Sequence, residues 1–104
     1  MRAMDDSELL RTAAERLEQL AGRTTPGDWR TGGLMASRPE VVAHRADGDR
    51  EHVAEARAGT ASWITALSPA VAGPLTAWLR SEADADTPTP AALVLARLLL
   101  DRLP

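Results

Sequence analysis

The side chains best suited to chemistry lie in the middle of the chain. His44 and His52 are its only histidines, and Glu40, Asp47, Asp49, Glu51 and Glu55 surround them. Imidazole beside carboxylate can serve general acid–base catalysis or, with a third ligand, a zinc site. Both uses require the two rings to converge. If Arg45 faces His52 across a hairpin, the two imidazoles point to opposite faces of the sheet. A slip of one residue would change that. The spacing fixes no third ligand for a shared metal, so both histidines are read as half-exposed strand residues.

The other candidate constellations each lack a necessary part. Asp47-Gly48-Asp49-Arg50-Glu51 alternates acids but has neither the glycine nor the closing acid of an EF-hand loop, and it reads as a hairpin tip. Arg38, Arg45, Arg50 and Arg57 alternate with acids, which gives a mixed-charge sheet face; a phosphate-tracking surface needs unbalanced positive charge. Ser62 follows Gly59-Thr60-Ala61 and does not sit in a nucleophile elbow. Gly32-Gly33 is followed by no Lys-Ser/Thr and opens no helix, so it cradles no phosphate. No catalytic, cofactor-binding or metal-binding residue is assigned.

The elements that would position these residues follow from periodicity. Asp5 and Glu8 have capping-box spacing ahead of the stripe Leu9, Leu10, Ala13, Ala14, Leu17, Leu20 and Ala21, which predicts a helix over about 6–21. Gly22 is placed to close it in the left-handed conformation. After the Thr24-Thr25-Pro26-Gly27 turn, short strands are expected near 29–31, 34–36, 40–45 and 52–57, with Asp47-Gly48 turning the last two into a hairpin. Helical spacing returns near 60–67, where Thr60 or Ser62 could cap, and continues over 69–82, kinked or restarted at Pro74. Trp63 and Trp78 fall in apolar stripes and are expected in the core, and Trp29 is expected to cover the sheet edge against the first helix. An acidic, proline-containing linker at 81–89 leads to a last helix over about 90–103. The expected fold is α+β: an N-terminal helix, a three- to four-stranded antiparallel meander, then two to three helices, in one domain of 104 residues.

Composition narrows the classes. The chain has no Cys, Lys, Asn, Phe or Tyr, and all 12 basic residues are Arg, a bias that fits a GC-rich genome more simply than selection for phosphate chemistry. Without cysteine there is no disulfide framework or thiol nucleophile, which suits a reducing, cytoplasmic setting. The net charge of −3 disfavours nucleic acid as a partner. No apolar run approaches the ~20 residues of a membrane span.

Two segments resemble a known pattern. Thr25-Pro26-Gly27-Asp28-Trp29 is similar to the T-P-G-x-W turn of small uncharacterised actinobacterial and phage-associated proteins. Ala61-Ser62-Trp63-Ile64-Thr65-Ala66-Leu67-Ser68-Pro69-Ala70-Val71 resembles their second motif, an aromatic-Ile pair leading to a proline and a Leu/Trp-rich helix. The likeness spans about residues 9–80 and departs at Asp28, where a second proline is usual, and at Ser68, where histidine is frequent. It implies the order helix, sheet, helices and carries no activity.

Function is therefore sought on a surface. The last helix is apolar nearly all round, and Leu93, Leu95, Leu98, Leu99, Leu100 and Leu103 exceed what a small monomer covers. The expectation is a non-catalytic interaction domain that self-associates, as a dimer, through these leucines. The alternatives are an accessory regulator, antitoxin-like or phage-derived, acting on an unidentified protein partner or nucleic-acid machine, and a small hydrolase or ligand-binding domain using His44 or His52.

Overall fold

The computed structural model describes residues 3–33 and 39–104. Its elements are α1 (Asp6–Ala21), β1 (Asp28–Gly32), β2 (Glu40–His44), β3 (Arg50–Glu55), α2 (Ala58–Ala66), a 3-10 turn (Pro69–Val71), α3 (Ala72–Ala83) and α4 (Pro90–Arg102). The chain is α+β, with the helix–sheet–helices order its periodicity predicts. The strand expected near 34–36 and Arg38 lie outside the described residues. The elements fall into two compact units, one running up to Arg23 and resuming at Val71–Pro104, the other Thr24–Ala70.

In the helical unit, α1 begins where the extended backbone of Asp5 lets its carboxylate accept the Glu8 N–H at 2.8 Å. That bond satisfies one of the first-turn donors that have no acceptor within the helix. At the other end Gly22 is right-handed, with φ −68°, and not left-handed as expected; its N–H returns to Glu18 O at 3.0 Å. One face of α1 buries Leu10, Ala13 and Ala14 against both α3 and α4. The cluster they join adds Leu79, Ala83, Ala92 and Ala96, so five of its seven members are alanines. Methyl side chains allow close backbone approach, and Leu9, Leu93, Leu95, Leu99 and Leu100 pack around the cluster.

Polar contacts fix the register of the helices. Ser7 Oγ donates to Ala83 O at 3.1 Å, Arg11 pairs with Asp84, and Arg80 forks onto Glu18, with Nη2 2.9 Å from Oε2. α3 does not restart at Pro74. It starts at Ala72, and Pro74 occupies the first turn, where a missing N–H leaves no intrahelical bond unmade. α3 also runs on to Ala83, which shortens the expected linker, and Glu82 Oε2 accepts the Thr89 N–H at 2.8 Å across the remaining loop.

In the sheet unit, β2 is the central strand of an antiparallel β1-β2-β3 sheet. Its Val41 and Ala43 are fully buried on one face, and α2 packs on β1 and β2. Trp29, directly opposite Ala43, shares that face half-buried, and its indole Nε1 donates to Thr25 O at 2.9 Å. α2 begins at Ala58, ahead of Thr60 and Ser62, and no side chain caps it; Arg57 holds the N-cap position.

The β2–β3 hairpin closes sooner than the sequence suggests. Gly48 adopts φ +92°, and the Arg45 N–H donates to Asp49 O at 2.9 Å, so the chain reverses through Ala46, Asp47 and Gly48 alone. A three-residue loop of this kind needs a positive φ near its end, which glycine supplies cheaply.

Candidate functional site

α4 carries the six leucines expected to form a self-association surface. Pro90 opens the helix, where its fixed φ is already helical, and Thr89 takes the N-cap position without a side-chain bond. The residues α4 buries completely are Ala92 and Ala96, one turn apart, and not its leucines. Leu93, Leu95, Leu99 and Leu100 lie to either side, partly buried against the alanine-rich cluster. Leu103 is half-buried just past the end of the helix. Leu98 projects outward, 49% exposed, directly above Val94 at 63%, with exposed Ala91 a turn before. Exposed Arg97, Asp101 and Arg102 border this stripe. The leucines thus divide between the chain's own packing and a narrow apolar stripe left in water.

Two tryptophans depart from expectation. Trp63 and Trp78 are not in the core: Trp63 is 67% exposed and Trp78 40%. On α3 the inward face is Ala72, Thr76, Leu79 and Ala83, whose small members fit against the alanines of α1 and turn Trp78 aside. On α2 only Ala61 is fully buried, and Trp63 shares the outer side with Leu67, 54% exposed. Large apolar residues dominated the sequence pattern, but the equally periodic small ones mark the inward face. Ala72-x3-Thr76-x2-Leu79-x3-Ala83 was the available signal.

The histidines also differ from expectation, for the reason found in the hairpin. The early closure places His44 opposite Arg50 and His52 opposite Val42. His44 and Val42 are two apart on β2, so both imidazoles emerge on the same face, the one opposite Val41 and Ala43. A register irregularity at Val41/Val42 follows, which puts Glu40 opposite Glu55. His52 Nδ1 lies 2.7 Å from Glu40 Oε2, an exposed cross-strand pair. An open groove of about 560 Å3 runs over this face, lined among others by Gly32, Val42, His44, Arg50 and His52. Among the described residues no three His, Asp or Glu side chains gather as a metal ion would require, and no helix is long and apolar enough to cross a membrane.

No protein-family model, curated protein or solved structure matches the chain.

Proposed function

We propose that this protein is a non-catalytic interaction domain that self-associates as a dimer through α4. The observation that carries the proposal is the stripe of Val94 and Leu98, both about half or more in water on a helix whose remaining leucines already pack against α1 and its neighbours. A two-fold pairing sets this stripe against its own copy and needs no second complementary surface. Covering Val94 and Leu98 on both copies removes four aliphatic side chains from water, worth about 1–2 kcal/mol each at this exposure. That gain roughly meets the lower bound of the association entropy, so the dimer is weak, and the half-buried leucine margins decide its strength.

Sedimentation velocity tests the proposal over a dilution series reaching on the order of 100 µM chain. The wild type is expected to shift from monomer to dimer, and Val94→Glu to stay monomeric with an unchanged circular dichroism spectrum. A wild type that stays monomeric throughout rejects the proposal.

A second reading, an accessory regulator acting on another protein, is favoured by α2. Trp63 and Leu67 form an exposed pair one turn apart, and tryptophan is enriched among residues that dominate binding energy. The resemblance to actinobacterial and phage-associated proteins belongs with this reading. Trp63→Ala should abolish recovery of a specific partner from the native host and leave dimerisation intact; equal recovery by both chains removes the reading.

A further inference from the structure

We infer that the open face of the sheet binds a small organic anion, held by Arg50 and His44 with His52 alongside, its apolar body resting on Val42. The backbone register creates the arrangement. His44 lies directly opposite Arg50, and His52 directly opposite Val42, so all four side chains share one face. Opposed residues in an antiparallel pair have Cβ atoms about 5 Å apart, and successive same-face residues on a strand about 7 Å. Three nitrogen-bearing side chains therefore border a space the size of a carboxylate or phosphate.

The local charges make Arg50 the available one. Neither its guanidinium nor the His44 imidazole has a hydrogen-bond or ion-pair partner among the described residues. Three of the neighbouring acids are engaged elsewhere. Glu51 points to the other face and pairs with Arg45 at 2.6 Å. Asp28, opposite His44 on β1, is paired with Arg30 at 2.7 Å. Glu40 holds His52 Nδ1, which orients that ring and leaves its Nε2 free.

The far end of the same face carries Glu40 opposite Glu55, where an anion would be repelled. The groove is thus basic at its hairpin end and acidic at the other, with an apolar floor between. Its volume, about 560 Å3, lies within the range of small-molecule sites. Arginine is suited to the task because its planar fork meets both oxygens of a carboxylate or phosphate.

The test is a 1H–15N NMR titration at low salt with two probes that share an apolar ring, benzoate and phenyl phosphate. Saturable shifts at the amides of Val42, His44 and Arg50 are expected with at least one probe, and the tighter one identifies the headgroup. Arg50→Gln should weaken that binding roughly tenfold or more, the loss expected for a charge-assisted pair, and His44→Gln should weaken it less. Arg50 is exposed and His44 half-buried on the open face of the sheet, so the remaining amide spectrum should be unchanged. If neither probe saturates by about 10 mM, or if Arg50→Gln binds as the wild type does, the inference is wrong. Leu98→Glu should bind the probe as the wild type does, which separates this site from the α4 proposal.

Discussion

Gly27 is the position where a single methyl group should cost the sheet unit most. It precedes β1 with φ +117°, a conformation L residues rarely adopt. A Cβ there would lie 2.8 Å from His44 O and 3.1 Å from His44 C. Both atoms belong to the main chain of β2, at the end of the ladder where Asp28 pairs with His44, so no rotamer change relieves the contact. The strained φ costs about 1–2 kcal/mol and the displaced strand end a similar amount, so Gly27→Ala should destabilise by about 3 kcal/mol. In a unit this small that lowers the melting midpoint by more than about 10 °C. Thermal unfolding followed by circular dichroism measures it, with Gly59→Ala and Gly73→Ala as controls. Those glycines lie in α2 and α3, and an added Cβ meets nothing within 4 Å. Alanine there should be neutral or stabilising by up to about 1 kcal/mol. A Gly27→Ala chain as stable as the controls would refute the turn geometry and, with it, the placement of β1 against His44.

The remaining predictions concern the helical unit. Ala96→Leu should lose about 1–3 kcal/mol by overpacking the alanine cluster, whereas Leu98→Ala, half exposed on the same helix, should cost no more than about 1 kcal/mol at concentrations where the chain is monomeric; urea denaturation distinguishes them. The hydrogen bond from Arg80, more than its charge or the Thr76 hydroxyl, holds the Glu18 carboxyl below its ordinary range against opposing desolvation. A depressed carboxylate stabilises the fold above its unfolded pKa, and that contribution disappears as pH falls through the folded value. Glu18→Gln should therefore melt below the wild type at neutral pH, and the gap should close as pH falls through the folded carboxyl's lowered value; a constant gap would deny the ion pair its role.

Much of the element order was legible because strong local signals agreed with one another. The Asp5 cap, the apolar stripe of α1, the Thr89-Pro90 start of α4 and the Asp47-Gly48 turn each act within a few residues. What escaped depended on distances between segments. The loop closed over three residues, which a two-residue turn signal does not specify, and this alone brought His44 and His52 to one face. Likewise, size places Trp63 and Trp78 inward, yet on α3 the alanines of α1 favour small partners over Trp78, and on α2 only Ala61 is fully buried. The groove on the sheet was invisible for the same reason: its basic end exists only in the observed register.

Pairing of two copies along α4 would be seen in intermolecular contacts. In a mixture of 13C-labelled and unlabelled chains, isotope-filtered NMR should detect contacts between the methyl groups of Val94 and Leu98 and those of the other copy. A monomeric mixture, or a dimer whose contacts map to the Trp63–Leu67 side of α2 and leave α4 free, would contradict the account.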